Sequence, residues 1–375
     1  MEEPEDLSAR GTMQNLCRLN RRRGPLRPFL SAWGFVWLLI VIGLAIPYSA
    51  SARDLPVIDA HNHLMGRFRT PQGLVLDYEG AAKVALAAMQ RLGISKMIIM
   101  PPPFPPHHPN RYDIEDLMGV IKRYPRRFAL LGGGGSLNPM IQRALQTGKV
   151  GPRLRKEFER RTLEILKKGA LGFGEMAAEH LSFNPRHPYE WAPPDHPLLL
   201  LLVDIAARFG VPIDLHMEAV PRRMPLPARF SSPPNPRTLR PNIKAFERLL
   251  AHNRRAKIIC AHAGWDNTGC RTVHLCGELL KRHPNLYMSI KVGPDSRPDN
   301  SPLDPRGRIK PEWLELIGAF PDRFFIGSDR FFVTPEVPRR IGPPSPEALQ
   351  ILPQLPRPLA RKVGYENAKA IFNLD

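Results

Sequence analysis

Four apolar runs in this chain end in a side chain that can bind a metal, and that repetition limits the fold more than any other feature. The first is Val57-Ile58-Asp59-Ala60-His61-Asn62-His63. In extended backbone residues i and i+2 share a face, so its two imidazoles point to one side. Three more runs close on His216, His262 and Asp329. A single histidine at a strand end is ordinarily a cap or a satisfied core residue. Four such endings in one chain point to a shared site.

From Asp54 onward strand-like and helix-like segments alternate. Glu79 to Leu92 has helical spacing and stops at Gly93, and Lys96 to Met100 reads as a second strand. A helix near Ile114 to Tyr124 precedes a third strand, Phe128 to Leu131, which runs into Gly132 to Gly135. That glycine run lacks the Lys-Ser/Thr of a phosphate loop and the spacing of a dinucleotide fingerprint, so it is read as a place of close backbone approach. The amphipathic stretch Leu154 to Lys168 leads to strand four, Ala170 to Glu175, and a long loop carrying His180, His187 and Trp191 follows. A helix from Leu198 to Phe209, strand five (Val211 to His216), a helix near Ile243 to Asn253 and strand six (Lys257 to His262) come next. Val273 to His283 is helical, Leu286 to Ile290 is strand seven, and Arg323 to Asp329 is the eighth unit, with closing helices after it. Eight β units alternating with helices over residues 53–375 predict one (β/α)8 TIM-type barrel, with an open doubly wound sheet as the alternative. Polar residues at several strand C-terminal ends favour the barrel, whose active site forms at that face.

Residues 1–52 read as a separate unit. Arg18, Arg21, Arg22, Arg23 and Arg27 precede an apolar run from Phe29 to Ile46, and Ala50-Ser51-Ala52 follows. Basic, apolar and small-residue regions in that order describe an export signal cut after Ala52. The run is also just long enough to span a bilayer, so a retained anchor stays open. The formal net charge is +19, and the leader's six arginines against four acids leave nearly all of it to the remainder. Such a field suits anionic small molecules or surfaces. Nucleic acid is disfavoured, because the basic residues form no dense run with aromatic interleaving. Of four cysteines, Cys17 is in the leader; Cys260 reads as core, and Cys270 and Cys276 leave a disulfide open.

His61, His63, His216, His262 and Asp329, with Glu175 at the end of strand four, would converge at the mouth of the barrel. Imidazoles with carboxylates suit zinc or another first-row divalent ion, manganese being the alternative. An ion with an open position lowers the pKa of a bound water, and a nearby carboxylate or histidine removes the proton.

These residues resemble the amidohydrolase superfamily, most closely the amidohydrolase-2 branch that contains aminocarboxymuconate semialdehyde decarboxylase and related hydrolases and lactonases. The likeness is carried by Asp59-Ala60-His61-Asn62-His63, Gly172-Phe173-Gly174-Glu175, Asp214-Leu215-His216, Ala261-His262-Ala263-Gly264, Gly327-Ser328-Asp329 and Glu366 to Phe372. It implies that His61, His63 and His216 bind a first metal and that Asp329 is a ligand or the base for the water's proton. His262 would polarise substrate or help hold a second metal, and Glu175 would bridge two metals where two are bound. It also implies a small-molecule substrate, and oligomers are common in such barrels. Asn62 and the long loops 221–241, 293–310 and 330–345 vary the pattern, and loops at the mouth set specificity. Glu218 and Trp265 lie where they could touch substrate; Arg222, Arg223, Arg229, Arg237 and Arg297 suggest an anionic one. Three functions follow as expectations: an exported hydrolase of amides, lactones or esters, a non-oxidative decarboxylase on the same site, or a membrane-tethered binding protein without catalysis.

Overall fold

The strands pair in chain order and close on themselves. The computed structural model describes residues 55–185, 187–230, 234–337 and 347–374. β1 (Val57–Met65) pairs with β2 (Ile94–Ile99), and β2 with β3 (Phe128–Leu130, resumed at Gly132–Gly133). Pairing continues through β4 (Phe173–His180), β5 (Pro212–Met217), β6 (Lys257–Ala263), β7 (Leu286–Ile290) and β8 (Phe324–Ile326, resumed at Arg330–Val333). The second part of β8 pairs with β1 from Asn62 opposite Arg330 to Met65 opposite Val333. All these pairings are parallel, so the sheet is a barrel and the open alternative is excluded.

Helices pack outside it: α1 (Tyr78–Leu92), α2 (Ile114–Arg123), α3 (Leu137–Thr147), α4 (Pro152–Lys167), α5 (Pro197–Phe209), α6 (Ile243–His252), α7 (Val273–Arg282) and α8 (Pro311–Ala319). Local chemistry fixes their ends. Asp77 accepts the Gly80 amide to start α1, Gly93 closes it in the left-handed region, and Asp113 and Asp116 form a capping box for α2. Barrel strands are buried on both faces, which is why all nine residues of β1 are buried. Ile58, Ala60, Ile98, Met100, Ala129, Leu131, Ile259 and Phe325 fill the barrel, and Ala368, Ile371 and Phe372 of the last helix plug its floor.

Two segments differ from the sequence reading. Strand four starts at Phe173 and runs on to His180, which the sequence placed in a loop; a short antiparallel pairing with Glu190–Trp191 extends it. α3 is a helix beyond those expected, and its Pro139 is tolerated because it falls in the first helical turn. The glycine run does serve close approach: a Cβ on Gly134 or Gly135 would overlap the carbonyl of Pro101 or Tyr112. Cys260, Cys270 and Cys276 are all free, so the Cys270–Cys276 disulfide does not form. The leader expected in residues 1–52 lies outside the described residues. Among those described, no helix is long and apolar enough to cross a membrane.

Candidate metal centre

His61 and His63 reach the barrel interior because β1 breaks its alternation. Ile58 and Ala60 face the inner core while Leu64 faces the helices. Strict period two from Ala60 would therefore turn His61 and His63 outward. The ladder with β2 shifts between Asp59 and Asn62, where an extra residue re-aims the chain. β6 shifts register between Cys260 and Ala263, and His262 there has φ 68°. β8 is interrupted before Asp329, whose φ is 51° and whose amide donates to the His61 carbonyl at 2.9 Å. Non-glycine residues held at such angles cost roughly 1–3 kcal/mol each and concentrate at functional sites. His216 needs no irregularity at this point, since Asp214 and His216 alternate inward while Ile213 and Leu215 face the helices.

All six residues read from the sequence meet at one place. Ligand atoms of His61, His63 and Glu175 lie within 4.8 Å of one another, as do those of His61, His262 and Asp329 and those of Glu175, His216 and His262. Glu175 belongs to two of these groups. Its Oε2 is 3.7 Å from His61 Nε2 and 3.5 Å from His63 Nε2, and its Oε1 is 2.7 Å from His216 Nδ1 and 3.2 Å from His262 Nε2. Asp329 Oδ1 stands 3.0 Å from His63 Nε2 and 3.7 Å from His61 Nε2.

These spacings fit a cation. Donors about 2.1 Å from a tetrahedral ion sit roughly 3.4 Å apart, longer than good hydrogen bonds. His61 Nε2 is buried without a hydrogen-bond partner among the described residues, yet has carboxylate oxygens on two sides at that separation. A buried polar atom so placed needs an explanation, and a divalent ion between these donors supplies one. The remaining ring nitrogens are held from behind. His61 Nδ1 meets Asp214 Oδ2 at 3.2 Å, and His63 Nδ1 donates to the Met100 carbonyl at 2.9 Å.

Charge follows the same layout. Burial works against ionisation of Glu175, but His61, His216 and His262 outweigh it and hold its carboxyl well below the usual range. Burial also opposes charge on His61, and Asp214 and Glu175 overcome it, raising that imidazole well above its ordinary value. His216 is raised to about 9, its desolvation outweighed by Glu175 and Glu218. Burial pushes His262 down to about 3. His262 Nε2 stands 3.1 Å from His216 Nδ1, which is also 2.7 Å from Glu175 Oε1. Burial raises the cost of charge on Asp329, but Lys291 and His262 hold it well below the ordinary carboxylate range.

Neighbours of the six add to the site, and Lys291 and Phe331 among them carry no sequence signal of their own. Lys291, one residue past β7, places Nζ 2.6 Å from Asp329 Oδ2 and 3.4 Å from the ring centroid of Trp265. Phe331 stacks on His63 with centroids 4.4 Å apart. Asp214 sits inside a quoted motif, but its contact with His61 is set by barrel curvature. Glu218 stands 3.7 Å from His216 Nε2 and accepts from the backbone and side chain of Asn267. Behind it Arg271 donates to the carbonyls of Met217 and Ala261, bracing β5 and β6 beside the two histidines. Arg222, Arg223, Arg229 and Arg237 stay on the surface, and Arg297 pairs with Asp299.

A family model described as amidohydrolase matches residues 58–374, so the chain belongs to the amidohydrolase family, in its amidohydrolase-2 branch, and is an enzyme of that type. Among solved structures it is similar to a 4-oxalomesaconate hydratase from Rhodopseudomonas palustris (12% identity, 85% of this chain, 96% of that one, TM-score 0.47). It is also similar to a probable 2-pyrone-4,6-dicarboxylic acid hydrolase from Acinetobacter baumannii with citric acid bound (13%, 85%, 100%, TM-score 0.45). A third is a dihydroxybenzoic acid decarboxylase from Polaromonas sp. JS666 with manganese and 2-nitroresorcinol (15%, 85%, 97%, TM-score 0.44). No curated protein sequence gives a significant match.

Proposed function

We propose that this enzyme is a metal-dependent hydrolase acting on a C–N or C–O bond of an amide, lactone or ester. The supporting observation is the donor nest around His61 Nε2, a buried, unpartnered nitrogen 3.7 Å from an oxygen of Glu175 and an oxygen of Asp329. His61, His63, Glu175 and Asp329 would hold one divalent ion, zinc or manganese, and Glu175 with His216 and His262 would hold a second. Such an ion supplies Lewis acidity and brings a bound water's pKa to about 7. The protein's own residues do the rest. Asp214 and the Met100 carbonyl fix which nitrogens of His61 and His63 face inward. Asp329 turns Oδ1 to the nest and Oδ2 to Lys291, and its carboxylate would take up the proton of a water held in the nest. His262, neutral over the physiological range, polarises the substrate oxygen where it does not hold an ion. Export, or anchoring by residues 29–46, belongs to this reading on the basic–apolar–small order of the leader alone.

Elemental analysis of protein from Arg53 onward, beside a His61→Ala/His63→Ala variant, is the direct test. One to two equivalents of metal lost in the variant, with chelator-sensitive turnover on an ester, lactone and amide panel, is the expected result. Bound metal without such turnover, together with CO2 release from aromatic acids, would replace hydrolysis by decarboxylation. N-terminal sequencing of exported protein should begin at Arg53, and an intact Met1 in the membrane fraction would mean an anchor.

A further inference from the structure

Beside the donor nest lies a second patch in which two buried ring nitrogens have no partner among the described residues. Trp265 packs edge to face on His262, with centroids 5.8 Å apart, Phe183 lies tilted against it at 6.2 Å, and Lys291 Nζ sits 3.4 Å above its ring. Its indole Nε1 is buried and has no hydrogen-bond partner among the described residues, and the same holds for His262 Nδ1. Lys291 has three N–H donors; one meets Asp329 Oδ2 at 2.6 Å, the ammonium rests on the indole face, and donor capacity remains.

A buried donor without a partner costs about 1–3 kcal/mol, and native proteins retain few of them. Packing alone would favour phenylalanine at 265, since an indole N–H adds only an unmet donor. A ligand that accepts hydrogen bonds gives both the N–H and the ammonium a purpose. A carboxylate is such a ligand: it only accepts, it carries the charge Lys291 prefers, and its two oxygens can serve two donors. A neutral amide would present its own N–H groups to a patch that already has donors.

We infer that Lys291 and Trp265 form an anion clamp that binds a carboxylate of the substrate beside the reacting bond. This rests on the hydrolase reading above and narrows its substrate class to amides, lactones or esters bearing a free carboxylate. The clamp explains why a lysine stands so close to Asp329: the same ammonium reaches one oxygen of that residue and the substrate's anion, and so ties the anion's position to the reacting centre. Lys291 acts here as a specificity residue, with Trp265 supplying a neutral N–H and a surface for the ammonium.

The test compares matched ester pairs, one member bearing a carboxylate and the other its neutral carboxamide, on metal-loaded enzyme. Wild type should favour the carboxylate member. Lys291→Gln should lower the ratio of the two kcat/KM values by tenfold or more, Lys291→Arg should restore part of it, and Trp265→Phe, which keeps a ring and removes the N–H, should lower it several-fold. A merely structural role would depress both substrates together and leave the ratio unchanged, and that result would overturn the clamp. So would a wild type that shows no preference. Should the variants fold poorly, benzoate against benzamide binding to wild type, read by thermal shift, decides the matter: equal shifts refute the inference. Metal content is measured on the same samples, so a protein that holds no metal contradicts the hydrolase reading, whereas a metal-loaded hydrolase indifferent to charge contradicts only the clamp.

Discussion

The two halves of the donor cluster use the same residue types and are built differently. On the side of His61, His63 and Asp329, contacts to Glu175 Oε2 and between partners run from 3.0 to 3.7 Å, and both outer ring nitrogens have partners. On the side of His216 and His262, contacts tighten to between 2.7 and 3.2 Å, which are hydrogen-bond lengths. There the outer nitrogens are poorly held: His216 Nε2 is 3.7 Å from Glu218, and His262 Nδ1 has no partner among the described residues. One half is a preformed nest, whereas the other is a hydrogen-bonded trio that must open before it can take an ion. Outer partners orient ligating imidazoles and raise their basicity, so the first half should bind first and more tightly.

Glu175 is the point where the comparison can be broken outright, because it serves both halves. Glu175→Ala should remove the second equivalent of metal and weaken the first by more than the roughly 10–100-fold expected for loss of an outer partner. Metal titration of the variant checks this. A first equivalent that stays as tight as in wild type would mean that His61, His63 and Asp329 suffice.

Acidification should weaken both halves, since His61 is also raised well above its ordinary value, and at the second half His216 sets the window. Ions bind neutral imidazole, and His216 is raised to about 9, so below that pH the second ion must displace a proton. Its apparent affinity should fall about tenfold per pH unit as the medium is taken down from 9. Calorimetric titrations in several buffers would show a proton released with the second ion, and a pH-independent second affinity would contradict the raised His216. The metal-free protein has the converse dependence. A histidine whose folded pKa lies above its unfolded value of about 6.5 stabilises fully below that pH, and the contribution is lost as pH rises through about 9. Melting of chelated protein should therefore decline across that window.

Outer partners give the next smaller effect and rank the halves directly. Asp214→Asn should weaken the first ion about 10–100-fold, because Asp214 contacts His61 Nδ1 at 3.2 Å. Glu218→Gln should cost the second ion less, since that carboxylate stands 3.7 Å from its histidine and is already engaged by Asn267. Equal losses would remove the distinction between a held and a loose half.

Much of this site could be read from the chain before any coordinates. His61, His63, His216, His262 and Asp329 each close an apolar run, and parallel barrel strands present such ends at one face. Which side of the strand they face was not legible. His61 and His63 point inward only because β1 shifts register at Asp59 to Asn62, and nothing in the alternation announces that shift. The partition into two halves was equally hidden, because it depends on Asp214, Met100 and Glu218, side chains and a carbonyl brought up by neighbouring strands. Lys291 follows a strand with no motif around it, and Phe331 lies in the resumed β8 two residues past Asp329, so only the closed ring shows that their side chains adjoin the cluster. Strand four misled for a local reason: its continuation to His180 is fixed by pairing with Glu190–Trp191, a partner too short to read.

Phe331 offers the finest probe of the preformed half. It stacks on His63 with ring planes 30° apart, and it is 37% exposed, so it covers the imidazole from the solvent side without burying itself. Aromatic pairs contribute about 0.5–1.5 kcal/mol beyond their burial, and partial exposure puts this one at the low end. His63 is also fixed by the Met100 carbonyl and by Asp329, so its orientation should survive loss of the ring. Phe331→Ala should accordingly weaken the first ion only two- to fivefold, about 0.5–1 kcal/mol, and leave the second unchanged. Phe331→Leu, which keeps an apolar cover but no ring, should fall between the two. A loss approaching that of Asp214→Asn would mean that the preformed half owes its geometry to a surface ring rather than to the strands behind it.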